Sequence, residues 1–325
     1  MFTASARSPC PRGSEVTVHA RSHDATPVSG GGLDGGKEGA SDIARTPGIA
    51  GLSDNQFRRL STYIERELGI RMPPAKRIML ESRLYKRIRL MKLEGFEQYL
   101  EYVFDPAQKN GELLHMIDAV TTNKTDFFRE SDHFDFLLRR LLPERYGDHW
   151  GVRAPFRVWS TASSTGEEPY TLAMVLQEFR EQHRDFSYQI LGTDISTQVL
   201  ERGRKAVYTE DRVVPVPEAM QRKYLLRSKD RNSRLVRVKP ELRSRVLFHR
   251  LNLMDEDFGI RELFEVIFCR NVIIYFDREN QTRLLRKLYR QLRPGGYLFL
   301  GHSETLAGME LPVFSVAPTI YRKPE

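Results

Sequence analysis

The sequence predicts an α/β fold: a mostly parallel sheet with helices on both faces, preceded by an all-helical segment. Three observations carry this. From Phe156 onward, short apolar runs alternate with helical patterns, as strand–helix–strand units require. Between Val158 and Tyr170, an apolar run enters a turn of small residues, Ala162 to Gly166, and a helix pattern leaves it. Residues 52–120, by contrast, show apolar spacing of the helical period alone.

Residues 1–50 are rich in Gly, Ser, Ala and Thr and read as a disordered leader, with no apolar segment of the kind a signal peptide carries. Order is expected from Leu52. Ser53 to Gln56 spells a capping box, with Leu52 and Phe57 placed as its hydrophobic staple. Phe57, Leu60, Ile64 and Leu68 make one apolar stripe, and Gly69 closes the helix. A second helix follows Pro73-Pro74, with Leu80, Leu84, Ile88 and Met91 on one face. Lys76, Arg83, Lys86, Arg87 and Arg89 fall on the other. Such charges are ordinarily just solvated. Their single sign also suits docking to something acidic. Further helices are expected over 96–104 and 111–120, so that 51–120 forms a helical domain. Residues 121–150 follow as a linker and a helix, the latter running from Phe134 to Leu142 and ending at Pro143.

Residues 151–325 hold the sheet. Strands are expected over 157–159, 188–193, 246–251, 266–269 and 297–300, and 314–321 reads as a last strand at the sheet edge. The stretch from Asp194 to Val246 is longer than a crossover helix needs. It includes Leu235-Val236-Arg237-Val238, and an antiparallel subdomain inserted at about 205–245 is expected.

Composition narrows the function. Charged residues make up 29% and hydrophobic ones 40%, and no apolar run approaches the roughly 20 residues of a membrane span. The two cysteines, Cys10 and Cys269, fall in the leader and in an apolar strand, which fits a reducing, cytoplasmic setting. The eight histidines lack metal-ligand spacing, so no metal is expected. A net charge of +8 favours an acidic partner. Nucleic acid is not the expected one, because no aromatic platform is interleaved with the basic helix. The chain is expected to be monomeric.

The turn after the first strand carries Glu167 and Glu168 where dinucleotide sites offer bare N–H groups to a pyrophosphate. Two carboxylates there suit a cationic or hydroxyl-rich ligand, or simply complement the helix dipole. Asp194 ends the second strand, where an acid can accept ribose hydroxyls or cap a helix. Asn252 follows the third strand and could bond a base edge or serve the turn. Arg270, Asn271 and Tyr275 end the fourth strand, and His302, Ser303 and Glu304 follow the fifth. Nothing has the form of a nucleophile elbow.

Several blocks together resemble CheR-type chemotaxis receptor methyltransferases. They are Thr121-Thr122-Asn123, Phe127 to Glu130, Ser164 to Tyr170, Cys269 to Val272 with Tyr275-Phe276, and Gly301 to Glu304. They keep the family's order, and the likeness covers about residues 52–325. It implies an all-α N-terminal domain joined to a Rossmann-like S-adenosylmethionine domain with an inserted β subdomain. It also implies a protein-glutamate O-methyltransferase acting on methyl-accepting chemotaxis receptors. By motif, Asn123, Thr125, Arg129, Glu167, Asp194, Asn252, Leu253, Arg270 and Asn271 would contact S-adenosylmethionine, with Arg129 and Tyr275 nearest the transferred methyl. The basic second helix would dock on the receptor's acidic helical bundle. Some members grip a receptor C-terminal pentapeptide through a Gly-rich loop. Residues 227–234 lack glycine, so such tethering is not expected here. A non-catalytic S-adenosylmethionine-binding scaffold and a nucleic-acid methyltransferase are the alternatives.

Overall fold

The structure, a computed structural model, describes residues 50–105, 111–230 and 232–325. The leader, except Ala50, lies outside these residues, as do Cys10 and Arg231.

The helical part begins with α1 (Asp54–Leu68). Ser53 Oγ accepts the Gln56 N–H and the Gln56 side chain accepts the Ser53 N–H, so the capping box is closed. Gly69, in the left-handed region, donates back to the Glu65 carbonyl. A 3₁₀ turn (Pro74–Lys76), α2 (Arg77–Leu90), α3 (Phe96–Phe104) and α4 (Glu112–Val120) follow. Leu60, Ile64, Leu80, Leu84, Ile88, Tyr99, Leu100 and Met116, all fully buried, fill the space between them.

The basic face of α2 differs from its expectation. Lys76 lies in the turn before the helix. Arg83 donates to the carbonyls of Val120 (2.7 Å) and Thr121 (3.0 Å), closing the end of α4, and to Thr122 Oγ1. Arg87 forks onto the buried Glu112 carboxylate (2.8 and 2.5 Å), which also accepts the Tyr99 hydroxyl. A helix end needs donors for its last carbonyls, and a buried carboxylate needs a cation. These demands draw two of the five cations inward and leave Lys86 and Arg89 exposed.

The helix expected to stop at Pro143 instead continues. It runs as α5 (Asp132–Phe136), a π-turn (Leu137–Leu141) and α6 (Leu142–Gly147). The wider turn ends two residues before Pro143, which then sits in a first helical turn, where its missing N–H costs little.

The sheet is built from β1 (Phe156–Ser160), β2 (Tyr188–Asp194), β6 (Val246–Arg250), β7 (Phe264–Cys269) and β8 (Leu292–Leu300), all parallel, in the order β6-β2-β1-β7-β8. Helix α7 (Glu167–Gln182) joins β1 to β2, α8 (Thr197–Lys205) follows β2, and α11 (Arg278–Gln291) joins β7 to β8. The expected last strand is a hairpin: β9 (Phe314–Ala317) and β10 (Ile320–Arg322) pair antiparallel. β10 lies against β8 and β9 forms the edge. Thr319 turns the chain with a positive φ of 57°, which breaks a continuous strand. Between β2 and β6 lies a separate antiparallel sheet of β3 (Val207–Thr209), β4 (Leu225–Arg227) and β5 (Leu235–Val238), ordered β3-β5-β4. The chain between these strands forms α9 (Glu218–Tyr224), and α10 (Pro240–Arg243) leads from β5 into β6.

Two features of this layout position the site. The chain winds from β1 outward to β2 and β6, then returns to place β7 on the other side of β1. Loops leaving β1 and β7 therefore diverge, opening a crevice at the carboxyl ends of the strands. The helical part closes that crevice from above. Asn252, just after β6, donates to the Glu67 carbonyl of α1 (2.7 Å), and Ile70 bridges Phe276.

Candidate active site

A cavity of about 300 Å³ occupies this crevice. Its floor comes from the strand ends: Thr161 and Ala162 after β1, Asp194, Leu251 to Leu253, and Arg270 to Val272. Leu68, Ile70, Met72, Lys76 and Met79 of the helical part form the roof, and residues 120–126 with Arg129 form a side wall. The volume falls at the small end of the range for ligand pockets, of order 300–1,000 Å³.

The turn after β1 makes the close approach possible. Gly166 has φ 98°, and a Cβ there would meet the Tyr208 hydroxyl at 3.0 Å and the Gly203 Cα at 3.1 Å, so a side chain is excluded on both grounds. The Ser163 N–H donates to Thr193 O and the Ser164 N–H to Asp194 Oδ2 (2.9 Å), stitching the turn to the end of β2.

Asp194 lines the cavity and is largely buried. Burial pushes its carboxyl up, and N–H bonds from Ser196, Ser164 and Ile195 oppose that. The cap of α8 is Ser196, whose hydroxyl accepts the Val199 N–H. Asp194 is thus not the helix cap, and its oxygens retain lone pairs for a ligand hydroxyl.

Arg270 is the hub of the floor. Its side chain, 1% exposed, pairs with Glu130 (2.9 Å) and Glu168 (3.1 Å) and donates to the Arg129 carbonyl. Phe134 and Phe268 face the same guanidinium. Burial pushes the Glu168 carboxyl up, while Arg270 and Ser160 pull it back. Burial also acts on Glu130, but Asn271 and Arg270 outweigh it and hold that carboxyl below its usual range. Glu130, His133 and His302 bring ligand-type atoms within 4.8 Å of one another. Glu130 already accepts from Arg270, Asn271 and the His302 N–H, which accounts for its place there.

Of the residues expected at a cofactor, Asn123, Thr125, Arg129, Asp194, Asn252, Leu253, Arg270 and Asn271 all line the cavity, as does Tyr275. Glu167 does not. It is 1% exposed and faces the inserted subdomain, paired with Arg212 (2.6 Å) and accepting from Thr165. Asn252 bonds α1 and its own turn, its Oδ1 accepting the Met254 N–H, so both ends of its amide are engaged within the chain. His302, Ser303 and Glu304 stay outside the lining.

Sequence reading missed Arg212. It reaches from the insertion to Asp126, the Thr125 carbonyl and Glu167, fixing the side wall. Nothing in local spacing signals a contact made across 86 positions. It also placed Lys76 on a surface. In the structure Lys76 lines the cavity, with its Nζ 5.9 Å from the centre of the Tyr275 ring. Burial, then Arg71 and Arg83, lower the pKa of its ammonium.

The cavity therefore has an acid at the end of β2, a neutralised floor, and three cations at its rim. Lys76, Lys124 and Arg129 line it without an ion pair among the described residues. Such a site can hold a hydroxyl-bearing ligand deep inside and draw an anion to its mouth.

Comparison with known proteins identifies similar chains. Residues 55–121 match the CheR methyltransferase all-alpha domain and residues 123–321 the CheR methyltransferase SAM binding domain. Proteins named chemotaxis protein methyltransferase are similar over most of the chain. The one from Klebsiella aerogenes is 40% identical, over 88% of this chain and 95% of that one. The Borreliella burgdorferi protein is 38% identical, over 84% and 95%. The Escherichia coli protein is 37% identical, over 83% of this chain and 91% of its own.

Proposed function

The chain belongs to the CheR methyltransferase family, and from that premise we propose that it methylates glutamate carboxylates on methyl-accepting chemotaxis receptors at the cavity described above. The observation that carries this reading is the cavity's polarity: a carboxylate at the end of β2, and lining cations that make no ion pair among the described residues.

The residues present suit S-adenosylmethionine. Asp194 would take the ribose hydroxyls. Leu251, Leu253 and Ile195 supply apolar surface for the adenine, and Asn123, Thr125 and Arg129 flank the remainder. The bound cofactor supplies an electrophilic methyl on a cationic sulfur. Glu167, tied to Arg212, would act by holding the side wall rather than by touching the cofactor.

The protein's own part is placement. A receptor glutamate is ionised at neutral pH, so no side chain need remove a proton. The apolar roof of Leu68, Ile70 and Met72 excludes water, which favours a step in which opposite charges cancel. Holding the acceptor near attack distance can supply about 7–11 kcal/mol. Arg129 would orient the acceptor oxygen without forming the tight pair that would stabilise the ground state. Lys76, before α2, and Tyr275, after β7, line the same cavity, the ammonium lying over the Tyr275 ring.

The receptor's acidic bundle would lie along Lys86 and Arg89, the exposed part of α2. The β4–β5 connection lacks the glycines of a peptide-gripping loop, so removing receptor C-terminal tails is expected to leave the rate unchanged. No helix among the described residues is long and apolar enough to cross a membrane. A cytoplasmic location, beside the receptors' inner domains, is what the proposed substrate requires. Incubation with receptor membranes and methyl-labelled cofactor tests the reading. The expected product is label on receptor that base releases as methanol. Label that nuclease removes, or none at all, would refute it.

A further inference from the structure

We propose that Glu304 is a positioning residue: its carboxylate touches no ligand and instead holds the Arg270–Tyr275 loop in the shape that lines the cavity. This rests on reading that cavity as the cofactor site.

The loop leaves β7 abruptly. Asn271 enters the left-handed region (φ 56°), and a 3₁₀ turn (Ile273–Tyr275) begins two residues later. The N–H groups of Asn271, Val272 and Ile273 have no backbone carbonyl partner among the described residues and converge on one point. Glu304 sits there. Its Oε2 accepts the Asn271 N–H (2.9 Å) and the Gly301 N–H (2.6 Å), and its Oε1 accepts those of Val272 and Ile273 (2.9 Å each). The residue is 3% exposed and makes no ion pair with a cationic side chain among the described residues. Burial pushes its carboxyl up, and the four N–H bonds oppose that by favouring the charged form. Convergent N–H groups of this kind commonly form an anion-binding concavity. Here the chain fills its own concavity with a carboxylate.

Gly301 completes the device. A Cβ at that position would lie 2.9 Å from the Asn271 nitrogen, 2.6 Å from Asn271 Nδ2 and 2.9 Å from Glu304 Oε2. A bare backbone at 301 is what lets the carboxylate reach all four donors. Arg270, Asn271, Val272 and Tyr275 line the cavity, whereas Glu304 and Gly301 do not. Changing either of the latter removes no cavity contact but releases the wall that carries four of them.

Two variants of the full chain test this from opposite sides. Glu304→Gln keeps the size but turns an NH₂ group towards N–H donors. Gly301→Ala pushes Asn271 away. In both, calorimetry should show affinity for S-adenosylhomocysteine weakened about 10- to 100-fold, as loss of one or two hydrogen bonds to the ligand would cause. The KM for S-adenosylmethionine should rise with it. A merely structural role would lower the melting temperature while leaving affinity and KM of the folded protein unchanged, and that result overturns the proposal. Should Glu304→Gln fail to fold, Gly301→Ala decides, and affinity within twofold of wild type overturns it. Wild-type protein that binds no S-adenosylhomocysteine would overturn both this inference and the cofactor reading. Normal wild-type binding with unaffected variants overturns this one alone.

Discussion

Arg270 shows how a buried cation is made tolerable: two carboxylates, a carbonyl and two aromatic faces surround it. Its place at a strand end put it in the crevice and the family resemblance implied a cofactor contact, whereas the partners Glu130 and Glu168, 140 and 102 residues away, are not legible in the sequence. Arg129 lines the cavity, donates to the Lys124 carbonyl and makes no ion pair among the described residues. Arg129→Ala is therefore expected to lower methyl transfer by about 10²-fold while affinity for S-adenosylhomocysteine changes little; equal loss of both would refute an orienting role. His133 allows a pH prediction. It is fully buried, and burial, then Arg270, lower its pKa from 6.5 to about 4. The folded state thus resists the proton that the unfolded state accepts. Its contribution to stability is complete above about 6.5 and is lost as pH falls towards 4. Denaturant titrations at pH 7 and 5 should show a loss in wild type that is smaller in His133→Phe.

Among the elements, α1 was readable to its caps, because a capping box and a Gly stop are local signals. The face of α2 was readable as amphipathic but not as to which cations stay outside. That depends on Glu112 and on the end of α4, which only the packed helices bring near. Glu112→Ala would leave Arg87 facing a half-buried space and the Tyr99 hydroxyl without its acceptor. It should destabilise the protein by about 3–5 kcal/mol, measured by denaturant unfolding. Lys86→Glu, on the exposed part of the same helix, should instead leave stability within about 0.5 kcal/mol. It should raise the KM for receptor and leave cofactor affinity unchanged. The hairpin of β9 and β10 reads as one strand for a different, local reason: the short Pro318-Thr319 turn lies within an otherwise strand-like run.

At the scale of the whole molecule, parallel strands with an insertion were legible because strand and helix periods alternate and one connection is too long. The cavity was legible only as a set of strand ends. That the helical part roofs it, through Lys76, Met79 and the Asn252 bond to α1, follows from tertiary packing that no local pattern encodes. The central claim is that this roofed crevice holds S-adenosylmethionine. Calorimetric titration of the full chain with S-adenosylhomocysteine tests it most directly, alongside Ala162→Leu, which fills the floor beside β1. Saturable one-to-one binding by wild type, abolished by the variant, is the predicted result. No binding to folded wild type, or equal binding by both, would contradict it.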